Sequence, residues 1–218
     1  MDNRTELVFI LDKSGSMGGR EADTIGGFNR VLEKQKQVEG AATVTTVLFD
    51  DRIEILHDRL DLHGVSAITV KDYFVEGSTA LLDAIGNSIQ KIEKAQQALA
   101  SEYRAKQVMF TIITDGMENA SRRFDFRTVR AMIEQKKAEG WEFIFLGANI
   151  DAISAAQDLG IAPDRAQNFI KDARGIQANY NSVSDAATML RGKGKIDEWW
   201  DQEIKKDLKD RESPDTNK

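Results

Sequence analysis

Three almost wholly apolar runs constrain this chain most: "LVFIL" (Leu7 to Leu11), "VMFTII" inside "QVMFTIITD", and "FIFL" inside "EFIFLGAN". They are short and rich in β-branched and aromatic residues. Runs of this kind read as strands buried on both faces, whereas half-exposed strands alternate apolar and polar residues. Segments with helical spacing lie between them. "READTIGGFNRVLEKQKQ" sets Ile25, Phe28, Val31 and Leu32 on one face, and "TALLDAIGNSIQKIEKAQQALA" does the same with Leu81, Leu82, Ile85, Ile89 and Ile92. "FDFRTVRAMIEQKKAEG" predicts a helix ended by Gly140, and "DAISAAQDLGI" predicts one stopped by Gly160. Buried strands alternating with helices predict an α/β fold, a doubly wound, mostly parallel central sheet with helices on both faces.

The remaining elements are read more locally. "ATVTTVLFDDRIEILHDRL" predicts two strands joined by a tight turn at Asp50, Asp51 and Arg52, which adds one antiparallel strand to the sheet. A looser segment follows to Gly77, "RAQNFI" predicts a short edge strand, and "SVSDAATMLRG" predicts a helix capped by Ser182 or Ser184. Gly26 and Gly27 sit inside the first helix, where each costs about 1 kcal/mol against alanine. The expected reason is close packing of that helix on the sheet.

From Gly192 onward the chain becomes charge-dense: "GKGKIDEWWDQEIKKDLKDRESPDTNK". The expected division is a domain over 1–192, followed by a charged amphipathic helix and a disordered tail over 193–218. Ile196, Trp199, Trp200, Ile204 and Leu208 fall mostly on one face of that helix. Two adjacent tryptophans there either dock back on the domain or meet a partner.

Composition excludes several function classes. The 218 residues carry a net charge of −6, which disfavours broad nucleic-acid or anionic-membrane binding. There is no cysteine, so disulfides, thiolate metal sites and cysteine nucleophiles are absent. No stretch approaches the roughly 18–20 apolar residues of a membrane helix. "MDNRTELVFILDKSGS" does not read as a signal peptide, so a cytoplasmic location is expected.

In a doubly wound sheet, ligands bind outside the carboxyl ends of the strands, where the strand order reverses. Asp12 and Asp115 each end a buried run. If their strands are neighbours, two partly desolvated carboxylates face one crevice and need a shared proton, a hard cation or basic partners. Basic partners look scarce, because Lys13, next to Asp12, is expected to point away. Ser14 and Ser16 in "DKSGS", and Thr79 in "EGSTALLD", add neutral oxygens, though each alone is more often a helix cap. Together the five form an all-oxygen set suited to Mg2+, Mn2+ or Ca2+ and not to zinc.

Here the sequence resembles the von Willebrand factor type A (VWA) domain. "DKSGS" fits the D-x-S-x-S pattern that opens the family's metal-ion-dependent adhesion site (MIDAS); Thr79 after "EGS" and Asp115 in "TDG" follow in order. The resemblance runs from Leu7 to about Leu190. It implies a Rossmann-like sheet of about six strands with one antiparallel edge strand. It implies that Ser14, Ser16 and Thr79 coordinate the ion, with Asp12 and Asp115 acting mostly through water. It also implies metal-dependent recognition of a partner protein that presents Asp or Glu, without chemistry on the ligand. Short cytoplasmic members of this type occur in bacteria and phages. One departure is visible: Ala80 and Leu81 follow Thr79, where the family often has proline and leucine.

The enzyme alternative is a Mg2+-dependent phosphotransferase or phosphatase with Asp12 as nucleophile. That chemistry wants a second acid two residues on, and Ser14 stands there; His57 and His63 lie around the hairpin. A phosphate loop at "GSMGGRE" lacks G-K-[ST], and a serine hydrolase would want G-x-S-x-G. Around the site, Glu118, Asn119, Arg122 and Arg123 are expected on the rim. Asp151 is expected to cap a helix.

Overall fold

The computed structural model describes residues 4–212. The last residues of the expected tail, 213–218, lie outside the described residues. The strands are β1 (Thr5–Asp12), β2 (Ala42–Phe49), β3 (Ile53–Asp61), β4 (Gln107–Thr114), β5 (Glu142–Gly147) and β6 (Ala166–Asn168). The helices are α1 (Glu21–Lys36), α2 (Leu81–Ala98), α3 (Phe126–Ala138), α4 (Ala152–Asp158), α5 (Ala173–Lys193) and α6 (Gln202–Glu212). One six-stranded sheet runs in the order β3-β2-β1-β4-β5-β6. All neighbours are parallel except β2 and β3, the expected hairpin.

The alternation within β1 explains both faces. Leu7, Phe9 and Leu11 point into one core with Phe28, Val31 and Leu32 of α1 and Val183, Ala187 and Leu190 of α5. Phe9 and Phe28 meet edge to face, with ring centroids 5.2 Å apart. Val8 and Ile10 point into the other core with Ile85, Ile89 and Ile92 of α2, Val129 and Ile133 of α3, and Ala152 and Ala156 of α4. Every residue of β1 is buried, as an uninterrupted run in a two-sided sheet requires.

The last long helix starts earlier than the sequence suggests. α5 begins at Ala173, with Asp172 at its cap accepting from Gly175 N at 2.8 Å. Ser182 and Ser184 are not caps; both are buried inside α5. The helix starts directly against the preceding chain, and only glycine permits this. A Cβ on Gly175 would lie 2.0 Å from the Ile170 carbonyl oxygen.

Gly27 shows the same close approach. A Cβ there would lie 2.1 Å from the Tyr180 ring, so the close approach is to the helix α5 and not, as expected, to the sheet. Gly26 meets only the tip of Arg30, at 3.4 Å.

The charged segment after Gly194 docks on α5 and beside β6. Ile196, Trp200 and Ile204 join the core, and Trp200 Nε1 donates to the Asp164 carbonyl at 2.9 Å. Trp199 faces outward, beside Lys193. Among the described residues, no helix is long and apolar enough to cross a membrane.

Candidate metal centre

β1 and β4 are neighbours, and the chain leaves them in opposite directions across the sheet, so the strand order reverses between them. Asp12 ends β1 and Asp115 follows β4, which places both carboxylates at the crevice where such folds bind ligands. The loop after Asp12 is pinned to the segment before α2. Glu76 N donates to the Lys13 carbonyl at 3.0 Å, and Gly15 N donates to the Gly77 carbonyl at 3.1 Å. This brings Thr79 to the same place.

The five residues converge. Ser14 and Ser16 Oγ atoms are 3.1 Å apart, and Ser16 Oγ donates to Asp115 Oδ1 at 2.5 Å. Asp12 Oδ1 accepts from Ser14 N at 2.7 Å, and its Oδ2 accepts from Thr114 Oγ1 at 2.6 Å. Gly116 marks where Thr79 joins. A Cβ there would lie 2.8 Å from Thr79 Oγ1 and 3.4 Å from Ser16 Oγ, so any larger residue would fill the space between the hydroxyls.

None of the three hydroxyls caps a helix. Ser14 precedes a short 3-10 turn at Gly15–Met17 without capping it by its side chain, and α2 starts at Leu81 with Ala80 at its cap and no side-chain cap bond. The first amides of α2 are satisfied from the loop after β4 instead. Leu82 N donates to Glu118 Oε2 at 2.8 Å, Asp83 N to Ser121 Oγ at 2.9 Å, and Thr79 N to Asn119 Oδ1 at 2.9 Å. Asp83 in turn accepts from the amides of Arg122, Arg123 and Phe124. Glu118 and Asn119 thus brace the start of α2, while Glu118 also lines the adjoining groove and Asn119 stays exposed at the rim. Asp151 caps α4, accepting from Ser154 N at 3.0 Å.

Burial pushes the Asp12 carboxyl above its usual range, and the nearby Asp115 charge adds to this, while Ser14 and Thr114 pull it back. The cluster thus concentrates negative charge in a poorly solvated place. Among the described residues, no three His, Cys, Asp or Glu side chains gather as a metal-binding group. His57 is not near it: its Nδ1 lies 3.0 Å from Thr46 Oγ1 in the hairpin.

One basic residue corrects the sequence reading. Lys13 does point away, towards Asp50 and Glu54. Lys171, in the turn between β6 and α5, instead places its ammonium 2.7 Å from Asp115 Oδ2 and 2.5 Å from the Ser16 carbonyl oxygen. It follows the carboxyl end of the edge strand β6, and no local pattern in the sequence marks its reach across to Asp115.

A doubly wound sheet with one antiparallel edge strand, and with acids and hydroxyls gathered at its reversal point, has the architecture of the VWA fold. Solved structures show the same fold. The vWF domain of the type V pilus tip protein Mfa5 from Porphyromonas gingivalis matches with a TM-score of 0.62 at 12% identity, over 90% of this chain and 99% of that one. Manganese-loaded TRAP protein from Plasmodium vivax matches with a TM-score of 0.58 at 15% identity, over 86% and 72%. Proximal thread matrix protein 1 from the mussel byssus, with a zinc-occupied MIDAS motif, matches with a TM-score of 0.58 at 13% identity, over 85% and 46%. This chain thus spans less than half the length of the byssus protein. No family model and no curated relative matches the sequence.

Proposed function

We propose that this protein is a divalent-metal-dependent protein-binding module and not an enzyme. The observation that carries this reading is the convergence of Ser14, Ser16, Thr79, Asp12 and Asp115, with no hydroxyl committed to capping a helix. The three hydroxyls would hold the ion, and the two carboxylates would act mostly through water. All five donors are hard oxygens, which suits Mg2+ first and Mn2+ or Ca2+ next. The byssus protein, whose MIDAS motif is zinc-occupied, makes zinc a necessary arm of any test. When bound, the ion supplies an open coordination position for an Asp or Glu of a partner protein.

The surroundings suit a protein ligand. A groove of 410 Å³ adjoins the cluster, lined by Leu81, Met117, Phe126, Phe145 and Ile150 among others, with Met117 largely exposed. It has room for an apolar side chain flanking the partner's acid. The Asp12 nucleophile of the alternative reading has both oxygens engaged by Ser14 and Thr114, with no histidine beside it. The cytoplasmic location and the bacterial or phage type remain part of this proposal.

Calorimetric titration of Mg2+, Mn2+ and Zn2+ into chelator-stripped protein tests it, beside Asp12→Ala and Thr79→Ala. One-site binding weakened by both substitutions is the expected result. No binding to the wild type, even with added acetate to complete the shell, would overturn it. Turnover of small phosphate esters that is lost in Asp12→Ala would favour the enzyme.

A further inference from the structure

Lys171 is a charged member of the cluster that the metal-centre reading does not use. The Asp115 side chain it contacts is wholly buried, while Lys171 itself is 20% exposed. The ammonium therefore enters the cluster from its rim, with solvent behind it.

Its backbone is held on both sides. Phe169 N donates to the Gly147 carbonyl at 3.0 Å, which ties the segment to β5. Asp172 caps α5 and accepts from Arg211 of α6 at 2.7 and 2.9 Å. Gly175 lets α5 start against Ile170. Lys171 is thus delivered to Asp115 by a braced turn and not by a wandering surface stem.

We propose that Lys171 is a built-in cation of this site, which neutralises Asp115 and competes with a divalent ion for it. The inference rests on the metal-centre reading of the same five residues. Two carboxylates balance one divalent charge; with Lys171 retained, the same cluster carries an excess positive charge in a poorly screened place. Removing the lysine outright would leave a buried carboxylate unpaired in the metal-free protein, which is costly. Lys171 therefore stabilises the metal-free state and lowers affinity for the ion, so the ion is held below the strength that its oxygens alone would give. Its rim position gives the ammonium a route to solvent when Asp115 is needed elsewhere.

The test is calorimetric titration of Mn2+ into the full chain as wild type, Lys171→Met, Lys171→Gln and Lys171→Arg, with thermal melts of each with and without Mn2+. Lys171→Met is expected to bind Mn2+ about tenfold more tightly, which corresponds to about 1.4 kcal/mol of relieved repulsion. Lys171→Arg is expected to stay close to wild type. Metal-free Lys171→Met should melt lower than wild type and gain more from Mn2+. Lys171→Gln, which keeps a polar donor without the charge, gives the same comparison if the methionine variant does not fold. Equal or weaker Mn2+ binding by both neutral variants, with wild type binding, would overturn the competition and leave the metal centre standing. Absence of Mn2+ binding in every variant, acetate included, would overturn the metal centre and this proposal with it.

Discussion

The Tyr73 hydroxyl donates to the backbone carbonyl of Asp12 at 2.5 Å, from a side chain only 1% exposed. Tyr73 belongs to the irregular segment between β3 and α2, so a stretch without regular structure holds the end of β1 in place. Burial keeps its phenol protonated well above the usual tyrosine range, and it remains a donor at all working pH values. Tyr73→Phe should cost about 1 kcal/mol, or about 2–4 °C in Tm for a domain of this size. It should also weaken Mn2+ binding, because the loop that carries Ser14 and Ser16 begins at that carbonyl. Thermal melts and calorimetry on the same variant check both.

The sheet was legible because its strands are written as almost wholly apolar runs, and a two-sided sheet is the simplest place to bury them. The placement of Asp12 and Asp115 at one end of the sheet was legible for a related reason: acids at the ends of buried runs stand out against them. Tyr73 and Lys171 were not legible. Each reaches the site from a segment with no periodic pattern, and the long-range contact that recruits it has no local signature. The early start of α5 was hidden similarly, since Gly175 lowers helix propensity yet is what lets the helix begin against Ile170.

Gly26 and Gly27 look alike in the sequence and should respond oppositely to alanine. At Gly27 the new methyl would meet the Tyr180 ring at 2.1 Å, so α1 and α5 must separate, at a cost of about 1–3 kcal/mol. At Gly26 it meets only the flexible tip of Arg30, so the helix should gain about 0.5–1 kcal/mol. Urea denaturation of the two single variants checks this, and destabilisation by both would show that the α1 backbone tolerates no added methyl at either position.

The adjacent tryptophans also separate. Trp200 is 1% exposed and hydrogen-bonded to the Asp164 carbonyl, whereas Trp199 is 48% exposed. Trp200→Ala should cost about 3–5 kcal/mol and release α6. Trp199→Ala should stay within about 0.5 kcal/mol. Chemical denaturation with limited proteolysis of the C-terminal segment distinguishes them; equal effects would contradict the docking of Trp200.

Acid should loosen the attachment of α6 through the pair of Asp172 and Arg211. The Arg211 guanidinium, with the Gly175 amide, holds the Asp172 carboxyl at about 2, below its ordinary 3.8. A carboxyl depressed on folding contributes stability in full above its unfolded value and loses it as pH falls through the folded one. The contribution should therefore be constant at neutral pH, decline from about pH 4, and be mostly gone below about pH 2. Both side chains are partly exposed, at 38% and 25%, so solvent screens the pair and the effect is modest. Urea midpoints of wild type and Asp172→Asn, which keeps a capping oxygen for Gly175, should differ at pH 7 and converge across that acid window. The fluorescence of buried Trp200 should change over the same range in wild type. A gap between the two proteins that persisted unchanged to the lowest pH would show that charge on Asp172 does not hold α6, and that its docking rests on the apolar contacts of Ile196, Trp200 and Ile204 and on the Arg174 pairs with Asp207 and Asp210.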